Sequence, residues 1–243
     1  MAKLLSYPLS VLYYLVFGGI LVLFDGLQRI THLFGYHAHK VCVDVLNFFL
    51  LRGMNLLGTR IVLDMPFVLE KNQSYIIVAN HQSTYDIPPL IWFFRKVHPK
   101  FIAKKELGKG IPSISFNLKK GGGVLIDRKN PQQALVAVKK FGEQLAETKR
   151  SAIIFPEGTR SKTHMPRPFR YAGLLQLMEV MPDAKLVGVS ISNSWKITRN
   201  GSFPLGIGVK MIFSVHPPVA IPETNKEAVL KNLEATITQH IQN

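Results

Sequence analysis

From Leu4 to Phe24 the chain carries no charged side chain over 21 consecutive positions. A helix of that length is enough to cross the hydrocarbon of a bilayer. A cleaved leader is disfavoured: the run is long, only Lys3 precedes it, and no small-x-small site follows. A second apolar stretch, Val41 to Leu51, is shorter and holds Asp44 and Asn47, which suits an interfacial or docked helix. Residues 1–58 therefore read as an N-terminal membrane-binding helical segment. It is either one spanning helix or a helical pair sunk into one leaflet, with a buried core hairpin as the third arrangement. Arg29, Lys40, Arg52 and Arg60 all follow the first run. If that run spans, the positive-inside rule puts the remainder in the cytoplasm.

Charge narrows the partners. Thirty Lys and Arg stand against 15 Asp and Glu in 243 residues, a formal net charge of +15. Such an excess suits an anionic partner: nucleic acid, an acidic membrane surface or a phosphorylated substrate. The positive mean hydropathy, and the lack of an aromatic-and-basic recognition module, argue against nucleic acid. The single cysteine, Cys42, rules out an internal disulfide and sits in an apolar stretch, as a buried inert thiol does.

From about Thr59 the pattern changes. Arg60 to Leu63, Ser74 to Ala79, Lys100 to Ala103, Gly123 to Ile126, Ala152 to Phe155, Lys185 to Ser192 and Val209 to Val215 read as short strands, with helical patterns between several of them. Asn130–Pro131 has the form of a cap followed by a first-turn proline. Thr224 and Glu227 predict a capping box ahead of Val229, Leu230, Leu233, Ile237 and Ile241. Alternating strands and helices imply an α/β fold, a mixed sheet flanked by helices, over 59–243.

Three stretches carry chemistry. Asn80 to Asp86 reads Asn-His-Gln-Ser-Thr-Tyr-Asp and follows a strand, where α/β enzymes tend to keep their active groups. On one straight helix His81 and Asp86 would stand about 140° apart, so they meet only if the backbone turns between them. Pro88 and Pro89 place a helix start nearby, which supplies the turn. A carboxylate that accepts the imidazole Nδ1 proton leaves Nε2 free as a base. The plain alternative is a capping Asp and a surface His.

Phe155 to Arg160 reads Phe-Pro-Glu-Gly-Thr-Arg, again past a strand, and would bring a carboxylate and a guanidinium to one rim. Arg160 suits a phosphate; the alternative is a solvated loop, made basic by Lys162, Arg167 and Arg170. Gly121 to Arg128 has three glycines before a strand but no Walker lysine, and ends in Asp127–Arg128. Lys104, Lys105, Lys109, Lys119 and Lys120 form a basic run, solvated or turned to anionic headgroups. No Gly-x-Ser-x-Gly elbow supports a hydrolase triad, and no Cys or His spacing matches a zinc site. His37, His39, His164 and His216 read as structural or surface residues.

Together these blocks resemble the glycerolipid acyltransferase family, its bacterial 1-acylglycerol-3-phosphate acyltransferases in particular. Asn80-His81-x-x-x-x-Asp86 is similar to the first block, Gly123 to Arg128 to the second, and Phe155 to Arg160 to the third. Leu186 to Ser192 lies where the fourth, hydrophobic block belongs, and Lys104-Lys105-Glu106-Leu107 resembles a stretch between the first two. The likeness covers Ser74 to Ser192. Two departures stand out: Gly188 near the place of a proline, and Gly173 one step late after Pro168-Phe169-Arg170.

The resemblance implies acyl transfer from a thioester, acyl-CoA or acyl carrier protein, to the sn-2 hydroxyl of lysophosphatidate, giving phosphatidate. His81 would be the base and Asp86 its orienting partner. Lys105 and backbone amides near the glycines would face the oxyanion. Arg128 and Arg160 would bind the acceptor phosphate, with Glu157 and Gly158 shaping the turn and Thr159 among the substrate-binding residues. No metal, no further cofactor and no acyl-serine are required. The expected location is a bacterial inner membrane, with the catalytic part facing the cytoplasm and a phospholipid surface as partner. An acyltransferase for another lysolipid and a non-catalytic peripheral lipid-binding protein are the alternatives. A metal-dependent phosphoesterase is weaker, because no second ligand cluster appears.

Overall fold

The computed structural model describes residues 2–161 and 165–242; Lys162 and His164 lie outside the described residues. Two long helices open the chain, α1 (Ala2–Leu33) and α2 (Tyr36–Gly53). Both run past the apolar stretches that predicted them. Gly35, at φ 91°, makes the reversal between them in a region that side chains rarely enter. The pair packs along its length and closes over Leu21, Phe24, Cys42, Leu46 and Leu50.

Eight strands form one mixed sheet among the described residues. They are β1 (Arg60–Asp64), β2 (Tyr75–Ala79), β3 (Pro99–Lys104), β4 (Val124–Ile126), β5 (Ser151–Ile154), β6 (Lys185–Ser192), β7 (Lys210–Val215) and β8 (Val219–Ala220). The order is β1-β7-β6-β2-β5-β3-β4, and β8 extends the β7 side of β6. Only β6 runs antiparallel to its β7 and β8 neighbours; the other pairs are parallel.

β2 lies between β6 and β5 and is buried at every position. This explains its unbroken apolar run: both faces of a central parallel strand meet a core. Tyr75, Ile77 and Ala79 point into the core that also takes Tyr13 of α1 and Leu51, Met54 and Leu57. Ile76 and Val78 point the other way. There α5 (Pro131–Glu147), α6 (Ala172–Val180) and α7 (Lys226–Gln239) supply Phe141, Leu177 and Leu230. Two shorter helices, α3 (Ile87–Phe93) and α4 (Ile114–Lys120), border the α1–α2 side.

Local signals fared unevenly. Asn130 caps α5 as expected, its Oδ1 accepting the Gln133 N–H at 3.1 Å, with Pro131 in the first turn. The capping box at Thr224 does not form. Asn225 takes a left-handed conformation (φ 59°) at the cap position, which starts α7 one residue later and leaves Thr224 outside it.

Candidate active site

β2 hands the chain to Asn80, whose side chain ties this strand end to β6. Asn80 Nδ2 donates to Ile191 O at 2.9 Å, and Ile191 N–H donates to Asn80 Oδ1 at 2.7 Å. The backbone then makes one 3-10 turn, Thr84–Asp86, capped by Ser83. Ser83 Oγ accepts the Tyr85 N–H at 3.2 Å. Asp86 reaches back, and its Oδ2 accepts the N–H groups of Gln82 and Ser83, both at 2.9 Å. The same oxygen lies 2.9 Å from His81 Nδ1. Asp86 is thus both a cap and the partner of His81, and the turn overcomes the angular separation that a straight helix would impose.

Asp86 is fully buried, and the His81 side chain keeps 12% of its surface exposed. The imidazole stacks on Phe155, ring centroids 4.0 Å apart and planes 14° apart. With Nδ1 turned to a carboxylate, the proton sits there and Nε2 carries the lone pair.

The third block braces the first. Gly158, at φ 70°, turns the loop so that Ser161 N–H donates to His81 O at 2.7 Å. Glu157 does not reach the rim that the motif predicts. It is buried, accepting His81 N–H at 2.7 Å and Arg167 N–H at 2.9 Å, one on each carboxylate oxygen. Burial pushes its carboxyl up, while the two amides and the His81 imidazole pull against that shift. Glu157 therefore sets the peptide that carries the imidazole.

A cavity of about 980 Å³ opens beside His81, between the sheet and the α1–α2 pair. Phe17, Leu21, Leu46, Leu50, Ile91 and Phe101 give it an apolar wall. Thr159, Arg160 and Arg128 stand on the same cavity. Arg160 donates to Thr84 Oγ1 at 3.2 Å. Burial holds the Arg128 guanidinium below its ordinary value; nearby Glu106 opposes this, and the charges of Arg160 and Arg170 add to it. Cations that repel one another beside a cavity are an arrangement that an anion relieves.

Lys105 is placed differently from expectation. Its ammonium is exposed, pairs with Asp127, and does not line the cavity. The β3 strand ends at Lys104, and the following turn sends the Lys105 side chain across to the end of β4. Sequence reasoning also passed over Gln82. It is 3% exposed, and its Oε1 accepts the Ser194 N–H at 3.0 Å, which fixes which way the amide faces. Its Nε2 has no acceptor among the described residues. The signal was present as an amide directly after His81, but a surface glutamine would look the same in sequence.

The departures in the later blocks fall away from the cavity. Gly188 is where α7 meets β6: a Cβ there would lie 2.9 Å from Leu233 Cδ1 and 3.2 Å from Ile237 Cγ1. Gly173 begins α6 beside Ile154, on that same side of the sheet.

A sequence profile of the Acyltransferase family matches residues 60–192, which hold all four blocks. The chain is 30% identical over 177 residues to the 1-acyl-sn-glycerol-3-phosphate acyltransferase of Saccharomyces cerevisiae, covering 69% of this chain and 55% of that protein. It is 30% identical over 154 residues to the protein of the same name from Cocos nucifera, covering 61% of this chain and 49% of that one. The chain spans about half the length of these curated relatives. The crystal structure of the 1-acyl-sn-glycerophosphate (LPA) acyltransferase PlsC from Thermotoga maritima superposes with a TM-score of 0.78 at 23% identity, over 98% of this chain and 95% of that one, and shares its fold. With the profile spanning more than half of its length, this chain belongs to the acyltransferase family.

Proposed function

We propose that the chain transfers a fatty acyl group from a thioester, acyl-CoA or acyl carrier protein, to the sn-2 hydroxyl of 1-acylglycerol-3-phosphate, forming phosphatidate. One observation carries this reading: a His81–Asp86 pair at the mouth of an apolar cavity that also holds two arginines. The names of the curated relatives support the choice of acceptor. His81 Nε2 takes the hydroxyl proton as the oxygen attacks the thioester carbonyl. The tetrahedral intermediate collapses, the C–S bond breaks, and the thiolate takes the proton back from His81. Asp86 stabilises the imidazolium that exists between the two transfers.

Arg128 and Arg160 hold the acceptor phosphate. Arg160→Ala is expected to raise KM for lysophosphatidate by roughly 10–100-fold, since charged hydrogen bonds contribute about 1.5–3 kcal/mol. Turnover of lysophosphatidylcholine, which lacks the phosphomonoester, should move far less. Equal losses on both acceptors would remove Arg160 from the phosphate. The reaction itself is tested by incubating detergent-purified protein with an acyl thioester and lysophosphatidate, following thiol release and diacyl product. Thiol release without phosphatidate would redirect the acceptor to another lysolipid. No thiol release from folded protein, with both donors tried, favours a lipid-binding module.

Gln82 takes the part first assigned to Lys105. Its amide nitrogen is buried, without an acceptor among the described residues and one residue from the base; the residue borders the cavity, and a small turn of the side chain is needed for the nitrogen to meet an oxyanion there. Gln82→Glu keeps the acceptor for Ser194 and removes the donors, so kcat is expected to fall by about 10²–10³ as for a lost oxyanion contact. A change in KM alone would assign Gln82 to ground-state binding instead.

The hairpin sits in one leaflet of the membrane that supplies acceptor and takes up product. α1 is the one helix among the described residues long and apolar enough to cross a bilayer. Both of its ends are nevertheless tied to the α/β body. Leu205 N–H donates to Ser10 Oγ at 2.8 Å, and Gln28 Nε2 donates to Ser113 Oγ at 2.6 Å. A helix bound to one body at both ends lies along it, which favours insertion over spanning. Leu15, Val22, Leu23 and Ile30 on α1 and Val41 and Phe49 on α2 remain exposed for the acyl region. A bacterial inner membrane, with the site on the cytoplasmic side, suits the net charge of +15, because the anionic lipids of the cytoplasmic leaflet attract a basic surface.

A further inference from the structure

A second cluster of cations lies where α2 meets the start of β3 and β5; Lys40 and Lys100 reach the wall of the same cavity as His81, and the proposed chemistry makes no use of them. Tyr36 is the centre of the cluster. The Arg150 guanidinium carbon stands 3.6 Å from the Tyr36 ring centroid and Lys100 Nζ 4.9 Å from it. The Tyr36 hydroxyl is hydrogen-bonded to His98 Nδ1 at 2.8 Å. Lys40 adds a third cation, paired with Asp44 on the same helix. Among the described residues, neither Lys100 nor Arg150 forms an ion pair. Asp44 is the acid whose charge acts on Lys100, and it is already engaged. Burial, reinforced by the Arg150 charge, pushes the Lys100 ammonium down to about 8. Three cations with one carboxylate between them leave a local excess of positive charge that the protein does not neutralise.

The surroundings say what neutralises it. Val41, Val45 and Phe49 form an exposed apolar stripe on α2, each one position beyond Lys40, Asp44 and Phe48. At the hairpin tip Leu33 and Phe34 are 82% and 76% exposed. Beside the stripe, Trp92 packs on Phe48 at 4.9 Å and carries Arg95 over its ring at 3.9 Å. Apolar side chains bordered by Trp, Tyr and cations match the depth profile of a leaflet: acyl chains, then interface, then phosphate.

We propose that Lys40, Lys100 and Arg150, gathered around Tyr36, form a binding site for the phosphate of an anionic membrane phospholipid, distinct in its residues from the acceptor pair Arg128 and Arg160 although Lys40 and Lys100 line the same cavity. The proposal rests on the reading that the hairpin enters one leaflet. The bound lipid fixes the height of the hairpin tip, and with it the cavity, relative to the headgroups.

Co-sedimentation with phosphatidylcholine vesicles, with and without phosphatidylglycerol, tests it. Arg150→Gln should match wild type on neutral vesicles and bind anionic ones about fivefold more weakly, the value of one well-placed cation. Arg150→Lys should stay within twofold of wild type. Lys231→Gln, on α7 across the sheet, controls for net charge and should also stay within twofold. Unchanged acyl transfer by Arg150→Gln in detergent shows that it is folded. Arg150→Gln that binds anionic vesicles like wild type, or loses no more than Lys231→Gln, overturns the site and leaves the leaflet reading standing. Wild type that ignores neutral vesicles while keeping its Arg150-dependent anionic binding overturns the leaflet reading and leaves the site standing.

Discussion

Replacing His81 with alanine is expected to lower kcat by about 10²–10⁴, the usual worth of a positioned general base. The protein should stay folded, for reasons visible in the hydrogen bonds. Asp86 Oδ2 loses one partner and keeps two backbone amides, those of Gln82 and Ser83, while Oδ1 keeps the Ser83 hydroxyl at 3.3 Å. The ring removed is an edge of the cavity rather than a piece of the core. Steady-state kinetics beside a thermal melt separates the two effects. Full activity in a folded His81→Ala protein would end the general-base mechanism, and with it the assignment of this cavity as the reaction site.

Asp86 gives the second large effect, and two substitutions divide its roles. One oxygen of Asp86 accepts three donors: the His81 imidazole and two main-chain amides. Asparagine can keep an oxygen there and turn its amide nitrogen to Ser83 Oγ, which has a lone pair to offer. Asp86→Asn should therefore stay within about 2 kcal/mol of wild-type stability and lose about 10²–10⁴ in kcat, because the imidazolium loses its charge partner. Asp86→Ala orphans the donors instead. At about 1–3 kcal/mol for each unsatisfied buried group, it should cost roughly 3 kcal/mol or more. Denaturant unfolding of the two variants distinguishes them. Equal stability losses would mean that Asp86 acts through its charge rather than as a hub of amide bonds.

Strands were the most legible part of this chain. An apolar run such as Tyr75 to Ala79 can be buried on both faces only inside a sheet, so its position followed from composition within a residue or so. Neighbours were not legible. That β1 pairs with β7, and that β6 reverses against it, depends on packing between segments far apart in sequence. The turn between His81 and Asp86 was legible because proline marks the next helix start and five-residue spacing excludes a straight helix. Glu157 was not, because a Pro-Glu-Gly turn has the same sequence whether its carboxylate faces solvent or two amides. The polar group at Lys105 misled for a similar reason. A long side chain reaches in several directions, and its Asp127 partner lies on a different strand end. Tyr36, Lys100 and Arg150 come from three separate segments and carry no common motif, so nothing short of the fold could gather them.

The pairing of Arg60 with Lys210 bears on how the protein is made. β1 leaves the ribosome early, but its partner strand is translated only after most of the chain, roughly ten seconds or more later at ordinary elongation rates. Until then one edge of the growing sheet has nothing to bond to, and contacts this distant close slowly. The helical hairpin has no such wait. Its contacts are local, and it is complete before the first strand is synthesised. If the hairpin enters one leaflet as proposed, nascent chains reach that surface with the hairpin formed and the sheet still open. The membrane would then shelter apolar helix faces through the interval when aggregation is the greatest hazard.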